Sequence, residues 1–193
     1  MISLNKLSLG LLSDSEVYAN TEKNDEKNSL SKLDVKKIIQ VDFPENQYYK
    51  EQTTKKQIVL HHTVSGQGVD GDISWWRSTV DRVATALIID WEGKIFQCFS
   101  SLYWGHHLGI KNSNNLALNK GSIGIEIDSW GGLVKSGKNW HPAKWENGKY
   151  VPNMAIKPIK NVVEFPNGYK GLYGFEAYTD KQIESVKKLL IYL

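Results

Sequence analysis

Four of the chain's five histidines fall in two adjacent pairs, His61-His62 and His106-His107. On a strand, neighbouring side chains point to opposite faces, so only one of His61 and His62 can face a given site. The other packs inward or bonds locally. The pair closes the apolar run Gln57-Ile-Val-Leu-His-His-Thr, and crevices at the ends of buried strands are where α/β proteins build their sites. An imidazole there can ligate a metal ion, although a structural hydrogen bond is the commoner role for a lone histidine. A second candidate is Glu126, set within Ser122-Ile-Gly-Ile-Glu-Ile-Asp. Burying a carboxylate without a partner is unfavourable and raises its pKa, which suits a proton acceptor near neutral pH. Strand alternation puts Ile123, Ile125 and Ile127 on one face and Ser122, Gly124, Glu126 and Asp128 on the other. An ion-paired or solvent-facing Glu126 fits the same pattern.

The elements that would position these groups interleave as strands and helices, which makes the class α/β. Gln57–Thr63 and Ser122–Asp128 read as buried strands. Val83–Asp90 and Lys94–Phe99 read as a hairpin turned at Gly93. A helix is expected from Ile73 to about Val80. A second opens at Thr179, where Gln182 completes a capping box and Ile183, Val186, Leu189 and Leu190 line one face. The Gly-, Pro-, Trp- and Tyr-rich stretch 131–174 is expected to be a long structured excursion. Residues 1–42 read as a polar, flexible extension, too poor in apolar groups between Ser13 and Lys37 to offset the entropy of ordering. A short element is expected within Leu33–Val41. Residues 43–193 read as one domain whose last helix runs into the end of the chain, a sign that the domain continues beyond it.

A hydrophobic share of 40% with seven Trp, nine Tyr and five Phe is enough for a packed core in 193 residues. The formal charge of +3, with no Lys/Arg cluster, argues against a nucleic-acid partner. Cys98 is the only cysteine, which excludes an intramolecular disulfide and any Cys-pair metal knuckle. No run reaches the roughly 20 apolar residues of a membrane span. The first residues lack a continuous apolar stretch and a cleavage site, so no secretory signal is read.

Joined in order, five blocks carry a resemblance. They are Ile58-Val-Leu-His-His-Thr, Val83-Ala-Thr-Ala-Leu-Ile-Ile-Asp-Trp-Glu-Gly, Trp104-Gly-His-His-Leu-Gly, Asn119-Lys-Gly-Ser-Ile-Gly-Ile-Glu-Ile and Tyr178-Thr-Asp-Lys-Gln-Ile. From about Phe43 to its end the chain resembles the N-acetylmuramoyl-L-alanine amidase family of phage endolysins, bacterial amidases and peptidoglycan recognition proteins. The resemblance implies a central mixed β-sheet flanked by helices, incomplete at the C-terminus. It also implies zinc-dependent hydrolysis of the amide between N-acetylmuramic acid and L-alanine in peptidoglycan, by a monomer acting on the bacterial cell wall as a phage lysin or a periplasmic or extracellular enzyme.

Carried over block by block, the resemblance makes His61 a zinc ligand, with His62 its inward-facing neighbour. His107 lines the substrate groove and Glu126 is the catalytic carboxylate that deprotonates water. A branch of the family uses a Tyr on the hairpin strand where this chain has Thr85, which shifts the base chemistry onto Glu126. Thr85 and Trp104 are assigned to substrate contact, with Trp75 and Trp76 further candidates for stacking; core packing is the competing role for each Trp. A catalytic zinc needs three protein ligands and an open position. The family's other two follow the helix that opens at Thr179, and His106, His107, His141, Asp128 and Cys98 stand in no matching motif. The zinc site is therefore expected to be incomplete. The competing reading is a module that grips peptidoglycan without cutting it.

Overall fold

The computed structural model describes residues 32–111 and 113–193. The expectations for residues 1–31, including the absence of a secretory signal and most of the polar extension, lie outside them. The short element expected before residue 42 is a 3-10 turn, Val35–Lys37, followed by the two-residue strand β1, Ile39–Gln40.

The first sheet is mixed. Its strands are β1, β2 (Gln57–His62), β3 (Leu87–Ile89), β4 (Ile95–Gln97) and β5 (Ser122–Ile127), in the spatial order β1-β4-β3-β5-β2. β5 is parallel to both β2 and β3, and β3 and β4 form the antiparallel hairpin expected around Gly93. Ile88 and Ile89 are both fully buried. Consecutive strand residues point to opposite faces, so both faces of this sheet are covered, as parallel pairing requires. The helix α1 (Asp70–Ser78) contributes Ile73 and Trp76 to the core, and α3 (Asp180–Tyr192) contributes Leu189. Between them, α2 (Asn115–Lys120) is a short helix leading into β5.

The capping box at Thr179 is present: its hydroxyl accepts from the Gln182 amide and the Gln182 side chain accepts from the Thr179 amide. The same hydroxyl donates to the Trp91 carbonyl at 3.0 Å, tying α3 to the β3–β4 turn. Val186, Leu189 and Leu190 face the core as expected, but Ile183 is 41% exposed. The strand expected from Val83 is shorter, beginning at Leu87. Residues 82–84 pair instead with His106: the His106 amide donates to the Arg82 carbonyl and the Ala84 amide to the His106 carbonyl. These two bonds fix the backbone from which the His107 ring projects.

The excursion between β5 and α3 is a second sheet, wholly antiparallel. It comprises β6 (Gly132–Ser136), β7 (Asn139–Glu146), β8 (Lys149–Pro152), β9 (Val162–Tyr169) and β10 (Leu172–Glu176), ordered β8-β7-β6-β10-β9. Its tight turns sit at Asn147-Gly148 and Lys170-Gly171, all four residues at positive φ, the geometry of two-residue hairpin loops. The sheet begins and ends at one place: the Glu176 amide donates to the Gly131 carbonyl at 2.8 Å.

Candidate active site

Parallel pairing puts His61 of β2 directly beside Glu126 of β5, with Ile88 of β3 on the far side of Glu126. Registered neighbours share a face. On that face, His61, Glu126 and the His107 ring come together at the C-terminal end of the sheet. The His107 ring lies over Gly124, where an added Cβ would stand 2.8 Å from Thr85 Cγ2 and 3.0 Å from His107 Cγ. Only glycine leaves room for the ring.

His61 Nε2 and His107 Nδ1 are 2.9 Å apart, with ring planes at 88°. On its other side His107 Nε2 meets Ser122 Oγ at 2.9 Å, and that hydroxyl donates to the Leu118 carbonyl at 2.6 Å. A hydroxyl has a single proton. With it committed to Leu118, the Ser122 oxygen accepts from His107 Nε2–H. The His107 Nδ1 is then bare and accepts from His61 Nε2–H. Network logic of this kind is what assigns imidazole tautomers. Burial pushes His61 down to about 4 and His107 down to about 3, so both rings are neutral across the physiological range.

Glu126 borders a cavity of about 140 Å³ together with Thr63, Asp72, Trp76, Thr85 and His107. Its Oε2 is buried with no hydrogen-bond partner among the described residues. Burial, reinforced by the Asp72 carboxylate, pushes its pKa up to about 8. A carboxyl poised at that value exchanges a proton readily near neutral pH. Asp72 is itself shifted up by burial, and accepts a hydrogen bond from Ser65 Oγ at 3.0 Å.

The other expected site residues fall differently. Thr85 lines the cavity, and its hydroxyl donates to the Leu87 carbonyl at 2.9 Å, which leaves it only acceptor capacity. Trp104 is 4% exposed, stacked on Tyr49 at 3.8 Å, and donates from Nε1 to Glu51. Both the ring and its N–H are engaged within the fold, which fits the core-packing role that competes with substrate contact. Trp76 is buried, while Trp75 is 57% exposed at the cavity rim. The reading of His62 is corrected. It does not pack inward but lies exposed on the opposite face of β2, against Gly131 and in an apolar cleft of about 620 Å³ bounded by β9, β10 and α3. Asp72 and Tyr178 escaped the sequence reading. Asp72 reads as an ordinary first-turn helix acid. Tyr178, which precedes the α3 cap, is pushed up to about 12 by burial and by the nearby Glu126 and Glu176 carboxylates. No motif marks Asp72, and Tyr178 opens one of the five blocks without a role attached to it.

Among the described residues, no three His, Cys, Asp or Glu side chains gather closely enough to hold a metal ion. His61 Nε2 is turned to His107, His141 lies in β7 with Nδ1 on the Ile156 carbonyl, and burial pushes the Cys98 thiol up to about 12. The described residues do not fit a three-ligand zinc site.

Residues 51–193 match the sequence profile of N-acetylmuramoyl-L-alanine amidase. The chain belongs to this amidase family. No curated protein matches it. Among solved structures, the amidase-family chain is similar to a mutant endolysin from Bacillus subtilis at 26% identity, covering 47% of this chain and 60% of that one, with a TM-score of 0.39. It is also similar to PlyL at 15% identity, over 46% of this chain and 55% of that one, with a TM-score of 0.39. A Se-Met AmpD derivative matches at 18% identity, over 48% and 61%, with a TM-score of 0.34. The chain thus spans under two thirds of each of these structures. Family membership rests on the sequence profile, and the α/β class on the sheets and helices described above. No described helix is long and apolar enough to cross a membrane.

Proposed function

We propose that this protein hydrolyses the amide between N-acetylmuramic acid and L-alanine in peptidoglycan, with Glu126 as the proton acceptor. The observation that supports this most is a carboxylate buried in the cavity with one oxygen unpartnered, beside the His61–His107 pair, in a chain of the amidase family. As carboxylate, Glu126 takes a proton from water as its oxygen bonds to the lactyl carbonyl carbon. The same proton then passes to the amide nitrogen as the C–N bond breaks, freeing the L-alanine amine. His107, held by Ser122 and His61, walls the groove on the far side. Zinc is the cofactor that family membership implies, and His61 is the ligand the resemblance assigns to it.

Purified peptidoglycan incubated with the chain, with and without added zinc, should release peptides bearing a free N-terminal alanine and no new reducing sugar. Glu126→Gln should abolish that release. Reducing sugar in place of free alanine would overturn the reading. A second reading, a module that grips peptidoglycan without cutting it, is favoured by the lack of a three-donor cluster among the described residues. Binding with no bond broken at any zinc concentration would establish it.

A further inference from the structure

The chain holds 24 Lys and Arg against 21 Asp and Glu, but the excess is local. Residues 131–176 carry seven lysines and three glutamates, a surplus of four. The rest of the chain, with 17 basic and 18 acidic residues, is one charge negative. The second sheet therefore carries the whole positive balance of the protein. Two of its lysines have carboxylate partners, Lys135 with Glu164 and Lys144 with Glu146. Lys138, Lys149, Lys157, Lys160 and Lys170 have none among the described residues, Lys170 lying instead over the Tyr169 ring.

The same sheet exposes aromatic rings. Trp145 and Tyr150 sit directly opposite each other on β7 and β8, with centroids 4.8 Å apart, and are 65% and 37% exposed. Strand alternation and register put them on the same face as Phe165 and Phe175, which meet edge-on at 5.4 Å. Phe165 is 47% exposed and Tyr169, whose ring lies 6.4 Å from that of Phe175, 60%. Exposed aromatic surface of this extent marks an interaction site. Flat rings offer an apolar plate with little conformational entropy to lose, suited to the C–H faces of sugars. The sheet contains no arginine between residues 131 and 176. Arginine is the side chain whose fork matches a phosphate, whereas lysine is a mobile point charge that serves a dispersed carboxylate equally well.

We propose that the second sheet is a docking surface for the glycan strands of peptidoglycan, Trp145, Tyr150 and Phe165 stacking on sugar rings and the unpaired lysines meeting stem-peptide carboxylates. The choice of polymer rests on the function proposed above; the docking itself needs no hydrolysis. By holding the polymer at a second point, the sheet raises the effective concentration of amide bonds at the Glu126 groove.

The test is co-sedimentation of the full chain with purified peptidoglycan stripped of other wall polymers. One variant combines Trp145→Ala with Tyr150→Ala; another carries Lys→Gln at positions 138, 149, 157 and 160. Each should weaken binding roughly tenfold or more, equivalent to about 1.4 kcal/mol, and leave thermal unfolding unchanged because the side chains are exposed. Wild-type binding should weaken with salt, and the lysine variant should lose most of that dependence. Glu126→Gln should bind like wild type, so failure of catalysis and failure of docking read out separately. Unchanged affinity in both sheet variants would overturn the proposal. Binding to duplex DNA in preference to peptidoglycan, with the same sensitivity to the variants, would overturn it as well.

Discussion

His61 and His107 share one proton between facing nitrogens 2.9 Å apart, and the direction of that bond is set from outside the pair by the Ser122 hydroxyl. The pair is a neutral, oriented unit, and its orientation has a measurable signature.

Nitrogen-detected NMR of the two rings should show both neutral from pH 8 down to about 5, with His61 carrying its proton on Nε2 and His107 on Nε2. The ring pKa values lie below that of a free imidazole. The unfolded chain therefore binds more protons than the native one as pH falls below about 6.5, and stability is lost progressively toward about 4. A ring titrating near 6.5 in the native protein would contradict the assignment.

Glu126 works in the opposite sense. Its native pKa of about 8 lies above the unfolded value, so between about 4.5 and 8 the native state holds a proton that the unfolded state has released. The contribution is complete at low pH and is lost as pH rises through about 8. Glu126→Gln should consequently be more stable than wild type at pH 8, by roughly 1–3 kcal/mol in urea midpoints, with the gap closing near pH 4.5. The hydrolysis rate should climb with pH through about 8 as the carboxylate forms. A variant equally stable at both pH values would refute the buried-acid account.

Gly124→Ala should lower stability by about 1–3 kcal/mol through overpacking, because the new methyl would press on both Thr85 and His107. Loss of the His61–His107 coupling in the NMR experiment should accompany it. A variant with unchanged melting and unchanged ring shifts would show that the close approach is unimportant.

Zinc titrated calorimetrically into this chain is expected to show no one-to-one site tighter than about 1 µM, a threshold of roughly 8 kcal/mol. The donors are too few among the described residues, and His61 must first surrender its bond to His107. A tight stoichiometric site abolished by His61→Ala would show that the ligand set closes after all.

Thr179→Ala removes both halves of a junction, the cap of α3 and the hydroxyl bond to the Trp91 carbonyl. Circular-dichroism melts should reveal a loss of about 1–2 kcal/mol. A change under 0.3 kcal/mol by the same measure, roughly that of a surface substitution, would show that α3 is held by its apolar face alone.

Local pattern made some of this legible and not the rest. The strands carrying His61 and Glu126, the Gly93 hairpin and the Thr179 cap each declare themselves within a few residues through β-branched runs and turn or cap chemistry. The meeting of His61 with Glu126 required only that two buried strands be neighbours in register. The five-stranded second sheet escaped, although Asn147-Gly148 is a strong hairpin signal; β8 and β9 have no buried residue, so their sequences show no apolar alternation. For Trp104 the two roles stayed open in the sequence because nothing local distinguishes a ring facing a groove from one stacked on Tyr49, fifty-five positions away. Asp72 reaches the Glu126 cavity through tertiary packing, which has no period along the chain.

The hydrogen bond from the Glu176 amide to the Gly131 carbonyl gives the second sheet a doorway where chain enters and leaves side by side. A segment anchored this way can be exchanged without re-threading anything around it: excising residues 132–175 and bridging the gap with a short turn leaves β5 and α3 where they are. Wall preference and bond cleavage would then be separable inheritances, with one open to grafting between relatives while the other stays in place.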